Sequence, residues 1–197
     1  MRPTFAFSLV LAGTVACGGT KAPTSTEPVV SETPYLQTVK EYVNDAGQSV
    51  VEVDLNKDGS ADILTYYHTA NVLEGSTPPM ARKEVDLNRD GRVDVVSHYD
   101  NTGVVTKEEM DGDFDGRWDW VDHYVGGKRV KSEVDSNYDG RIDLYRYYEN
   151  EIKVRRERDT DTNGLIDQWE FFDPDGKEII MTGYDTDGDG KMDVREE

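Results

Sequence analysis

Apolar residues along most of this chain fall in short runs rich in aromatic and β-branched types, and two kinds of polar segment separate the runs alternately. Leu144-Tyr145-Arg146-Tyr147-Tyr148 is one such run; Glu149-Asn150-Glu151 follows as a turn, and Ile152-Lys153-Val154 leads back. Aromatic and β-branched enrichment bounded by turn residues predicts a strand on each arm of a hairpin. Equivalent reversals stand at Asp45-Ala46-Gly47, Asn101-Thr102-Gly103, Gly126-Gly127 and Pro174-Asp175-Gly176. The stretch from Thr69 to Met80, with Pro78-Pro79, interrupts the rhythm and reads as an inserted, exposed loop. The expected fold class is all-β, a repeat of antiparallel hairpins of about 24 residues per unit.

The second kind of polar segment is the same each time. Oxygen-bearing side chains stand at positions 1, 3, 5 and 9 of a loop with Gly at 6, six times over, beginning at Asp54, Asp86, Asp111, Asp135, Asp159 and Asp185. The side chains are Asp54, Asn56, Asp58 and Asp62; Asp86, Asn88, Asp90 and Asp94; Asp111, Asp113, Asp115 and Asp119. They continue with Asp135, Asn137, Asp139 and Asp143; Asp159, Asp161, Asn163 and Asp167; Asp185, Asp187, Asp189 and Asp193. A hard cation such as Ca2+ takes six to eight oxygens at about 2.3–2.6 Å, and alternate residues of a tightly curled loop point inward. Position 6 turns sharply, which needs Gly. Position 7 offers only its carbonyl, so its side chain is expected to vary freely: Ser60, Arg92, Arg117, Arg141, Leu165 and Lys191. Position 12 holds Thr65, Ser97, Asp122, Arg146, Glu170 and Glu196, so the ninth Asp is expected to close the coordination shell, with Glu170 and Glu196 as extra ligands.

Counting on from each loop start, position 14 is Tyr67, Tyr99, Tyr124, Tyr148 and Phe172, and position 8, of the same parity, is apolar in all six copies. A ladder of aromatics across adjacent strands is the expected packed face of an antiparallel sheet. Position 13 is also aromatic or His, so a sheet covered on both faces or curled upon itself remains open.

Charge follows from the loops. The net charge is -19, and six divalent ions would bring it to -7. The acidity therefore reads as a metal-binding device, and no basic stripe supports nucleic-acid binding. With one cysteine there is no disulfide framework, which leaves bound ions to staple the loops.

Residues 1–16 read as an export signal: Arg2 begins it, Phe5 to Ala12 is its apolar run, and small residues precede Cys17. Residues 17–34, rich in Gly, Thr, Ser and Pro, cannot bury enough to fold and read as a tether. Residues 35–197 form the repeat domain. Thr14-Val15-Ala16-Cys17 resembles a bacterial lipoprotein box, with Thr14 where Leu is usual, and that resemblance implies a lipid on Cys17, membrane anchorage and a place in the cell envelope.

The loops resemble those of EF-hand-like families, of thrombospondin type 3 repeats and of the blades of integrin-like propellers. The likeness implies Ca2+ at the residues named above, the ninth Asp included. The hairpins are similar in part to MORN-type repeats, through Gly116-Arg117-Trp118 and Tyr147-Tyr148. The whole resembles exported bacterial lipoproteins with repeated calcium loops, which implies a structural or interaction role with an envelope protein or polysaccharide partner.

Other groupings are weaker. His98 and His123 share position 13 in adjacent units and are placed to bind a transition metal if they lie side by side. Trp118, Trp120 and Trp169 suit a glycan- or polymer-binding platform, the alternative function. A hydrolase would need a carboxylate pair in an apolar setting; every Asp cluster is explained by the loops, and no nucleophile or phosphate-cradling loop is present, so no enzyme is expected.

Overall fold

The computed structural model describes residues 38–69, 72 and 75–197. The expected signal at 1–16, the tether at 17–34 and Cys17 lie outside the described residues. The described chain belongs to one compact unit, Glu32–Glu197.

Among the described residues, thirteen strands form a single antiparallel sheet in sequence order. They are β1 (Thr38–Val43), β2 (Ser49–Asp54), β3 (Ile63–Tyr67), β4 (Met80–Val85), β5 (Val95–Tyr99), β6 (Val105–Met110) and β7 (Trp120–Val125). There follow β8 (Lys128–Val134), β9 (Leu144–Glu149), β10 (Ile152–Arg158), β11 (Gln168–Phe172), β12 (Ile179–Tyr184) and β13 (Val194–Glu196). Each strand touches only the strands beside it. The repeated hairpins are therefore one continuous meander, and the Thr69 to Met80 insertion spans β3 to β4 with Met80 already in strand.

Because neighbours run antiparallel, the two kinds of connection separate to opposite margins. All six Asp loops line one margin, and the short hairpin turns line the other. Two of those turns, Gly126-Gly127 and Asn150-Glu151, have positive φ at both central residues, the geometry that matches hairpin twist. Gly adopts it freely; Asn150 and Glu151 are side-chain-bearing residues in the same turn.

Register then decides faces. Cross-strand partners share a face, and the pairs Glu52↔Leu64, Leu64↔Glu84, Val96↔Glu109, Val121↔Glu133 and Tyr145↔Glu157 place five glutamates on one face. Position 13 shares that glutamate face. Four of the glutamates are reached by a position-13 side chain: Tyr66 Oη donates to Glu84 at 3.0 Å, His98 Nε2 lies 2.9 Å from Glu109, His123 Nε2 3.6 Å from Glu133, and Tyr147 Oη donates to Glu157 at 2.9 Å, while Glu52 accepts from Tyr42 Oη of β1 at 2.8 Å. Arg82, Lys107, Lys131 and Arg155, two residues before Glu84, Glu109, Glu133 and Glu157, pair with them on the same strand. Position 14 lies on the opposite face, where only Phe172 of the aromatic ladder is buried.

Neither face is uniquely packed. Burial does not alternate along β3 or β10, whose residues are half-buried on both sides. The fully sequestered side chains are few: Val50, Asp94 and Ser132, the last bonded to Asp122. The position-14 ladder is one face of a sheet held on both sides by lateral contacts. Five β-bulges, each four residues before the end of the returning strand of its hairpin, sit near Ala81, Thr106, Val130, Val154 and Ile180 and add local twist.

Candidate functional site

Each Asp loop is closed by its own carboxylates. One oxygen of the first Asp accepts from the Gly N–H at position 6, at 2.6–3.0 Å in all six loops. The side chain at position 3 accepts from the N–H of position 5, and that at position 5 from the N–H of position 7. The ninth Asp accepts from the N–H of position 2, as in Gly112 to Asp119 and Thr160 to Asp167. The bonds from positions 5 and 7 to the side chains of positions 3 and 5 follow from spacing alone, because Asx side chains reach backbone N–H groups two residues on.

Position 4 is the unforeseen element of the loop. Lys57, Arg89, Phe114, Tyr138 and Thr162 all have φ of 61–65°, and the sixth copy has Gly188 at 79°. Gly188 was the signal in the sequence, since it stands where five side chains accept a left-handed conformation.

The loops are also joined to one another. The ninth Asp donates its N–H to the carbonyl before its own loop, as Asp143 does to Val134 at 3.0 Å. Its carbonyl accepts from the first N–H of the next loop: Asp86 to Asp62, Asp111 to Asp94, Asp135 to Asp119, Asp159 to Asp143 and Asp185 to Asp167, all 2.8–2.9 Å. Two strands separate successive loops, about 9.5 Å. Six carboxylate clusters thus stand in a row at that interval.

Position 7 is less free than expected. The guanidinium of Arg117 lies over Gly140 of the next loop, with Nη1 3.4 Å from the Asp139 carbonyl. Arg92 approaches Gly116, and Leu165 covers Gly190. A side chain at position 6 would collide with Arg117 at Gly140, which adds a packing reason for that glycine.

Position 12 points elsewhere. Glu170 is paired with Arg156 on the neighbouring strand, which corrects its expected part as an extra loop ligand. Asp122 is engaged by Ser132 and Arg129, and Glu196 is exposed in β13.

The convergence of oxygens differs among loops. In three sets, Asp111, Asp113 and Asp115; Asp159, Asp161 and Asp167; and Asp185, Asp187 and Asp193, carboxylate oxygens lie within 4.8 Å of one another. Oxygens bound to one Ca2+ at about 2.4 Å can be no farther apart than about 4.8 Å, and these three sets lie within that limit. Where position 3 is Asn, its amide donates to the position-5 carboxylate instead: Asn56 to Asp58 at 2.8 Å, Asn88 to Asp90 and Asn137 to Asp139 at 3.2 Å. First and ninth Asp are buried in the first four loops, while those at positions 3 and 5 are largely exposed.

Carboxyl acidity reflects these contacts. Partial desolvation, then repulsion from Asp115, Asp119 and Asp111, raises Asp113 despite the Asp115 N–H. Asp115 is held low by Arg117. At Asp185 desolvation is the largest single influence and pushes upward, but the N–H groups of Gly190, Gly188, Asp187 and Asp189 together hold the group low.

The remaining groupings separate. Lys107 of β6 is paired with His98 on one side and His123 on the other, so the histidines stand two strands apart and do not make a joint metal site. Trp120 lies in register with Val134, Leu144, Arg158 and Gln168, whereas Trp169, next after Gln168, projects from the other face. Trp118 is exposed in its loop. The three tryptophans therefore form no common platform.

No family model and no curated protein matches this chain.

Proposed function

We propose that this protein is an exported, lipid-anchored calcium-binding scaffold of the bacterial cell envelope, in which Ca2+ stabilises the fold and the sheet serves a structural or interaction role. The observation that carries the reading is the row of six Asp loops along one margin, with three carboxylate sets already spaced for a hard cation. Asp54, Asp86, Asp111, Asp135, Asp159 and Asp185, with the position-3, position-5 and ninth residues of each loop, would hold the ions; the ions would supply charge neutralisation and nothing catalytic. In every loop the first-Asp oxygen that accepts from the position-6 N–H takes that one bond and has a second lone pair for an ion. Extracellular sites of this kind have dissociation constants of about 10⁻⁴–10⁻³ M, suited to ambient calcium without switching. Cys17 and the segment before it support export and anchorage on sequence grounds alone.

The test is a calorimetric calcium titration of residues 18–197, with circular dichroism recorded with and without chelator. Binding of several ions with a gain in stability is expected. No heat at millimolar calcium, with an unchanged melting curve, would leave the loops as solvated Asx turns and remove the reading.

A further inference from the structure

On the face opposite the glutamates, Arg146 of β9 and Arg156 of β10 are directly paired across the strands, an arrangement of like charges that costs stability. Lys153, paired with Tyr148 in the same hairpin, brings a third cation to that face. Arg156 is held by Glu170. Among the described residues, Arg146 and Lys153 have no carboxylate within ion-pair distance. Arg146 instead lies 4.8 Å over the Trp120 ring, and Lys153 Nζ 3.8 Å over that of Phe172. These contacts orient the cations without neutralising them. Burial, followed by repulsion from Arg156 and Arg146, draws the Lys153 ammonium below its ordinary range, with Glu170 opposing.

The three cations line a shallow depression of about 530 Å³, together with Glu151 and Asp175 from two neighbouring hairpin turns. Arg146 occupies position 12, where the other units have Thr65, Ser97, Asp122, Glu170 and Glu196, so the cluster belongs to one hairpin of a chain whose net charge is -19. None of its members is a loop ligand.

We propose that this depression binds a hydroxylated oxyanion of the sugar-acid class. A guanidinium takes a carboxylate through two parallel N–H bonds, and Lys adds a point charge. An anion between Arg146 and Lys153 relieves the Arg146–Arg156 repulsion. The exposed Glu151 and Asp175 accept hydrogen bonds from hydroxyl groups and repel a ligand of high charge, which favours one carboxylate on a polyhydroxylated ring.

The test follows the Arg146, Arg156 and Lys153 side-chain signals by NMR in the full-length chain in detergent, at fixed free calcium and ionic strength. Glucuronate is the probe, with glucose, acetate and sulfate as separate arms. Saturable glucuronate shifts at the three cations, at least fivefold weaker in Arg146→Gln/Lys153→Gln and absent with glucose, are expected. The variant's β dichroism is recorded alongside, and Trp120 and Phe172 ring signals report whether the face is intact. Linear shifts, shifts shared with glucose, or shifts surviving in the variant would overturn the site. Equal binding of acetate and sulfate would overturn the sugar-acid assignment.

Discussion

Asp143 shows how much one residue carries in this fold. Its carboxylate accepts from Ser136 N and Ser136 Oγ at 3.0 and 2.9 Å, while its backbone joins its own loop to Val134 and the next loop to Asp159. Structural and metal-binding contributions can be separated by two substitutions. Asp143→Asn keeps an acceptor for Ser136 and should leave the loop folded while removing one ion from the calorimetric stoichiometry. Asp143→Ala should lose the ion and also destabilise by about 1.5–3 kcal/mol, the worth of a hydrogen bond to a charged group. Unchanged stoichiometry in both would refute the use of position 9 as a ligand. The closed Asp loops were legible in the sequence because their hydrogen bonds span only two to seven residues. Position 7 was not: Arg117 meets Gly140, a residue 23 further along the chain, and no local pattern announces that contact.

At the scale of the strand pair, the repeated unit is a position-13 side chain bonded to a glutamate on the next strand, with a Lys or Arg flanking. Tyr66 and Glu84 are the clearest instance. Burial, then the hydrogen bond to Glu84, pushes the Tyr66 phenol up to about 12. An unfolded tyrosine titrates near 10. The folded state therefore holds the proton more tightly, so this contribution is intact below about pH 10 and is lost as pH rises toward about 12. Denaturant midpoints of the wild type should fall over that window, and Tyr66→Phe should show a smaller fall and a loss of about 1 kcal/mol at neutral pH. Identical pH profiles for the two proteins would sink the pairing. The recurrence of Glu52, Glu84, Glu109, Glu133 and Glu157 two residues before the first five loops is present in the sequence, with Gly183 in that place before the sixth. Their partners were not, because a cross-strand neighbour is defined by register.

Among the described residues each strand touches only its neighbours, and twenty loop aspartates gather along one margin. With loops about 9.5 Å apart, repulsion between them acts over roughly one Debye length at 0.1 M salt. In the presence of chelator, melting temperature should therefore rise as sodium chloride increases from about 0.01 to 0.5 M, with a much weaker dependence in calcium, which neutralises the same charges locally. Equal salt dependence with and without calcium would show that the margin's charge is not what calcium relieves.

The amino-acid sequence alone determined the alternation of strands and Asp loops, the turn sites and the oxygen-bearing residues of each loop. Side-chain capture of nearby N–H groups and β-branched or aromatic preference act within a few residues, and they repeat with the unit. Only the tertiary structure decided the faces. Pairing register, shifted by a bulge in the five hairpins from β3 to β12, set position 13 against the glutamates and put Lys107 between His98 and His123. It also sent Trp120 and Trp169 to opposite sides and brought Arg146, Lys153 and Arg156 into one depression. Side-chain direction reverses with every residue along a strand, so which groups meet depends on which strand lies alongside and at what offset, and that information resides in the assembled sheet.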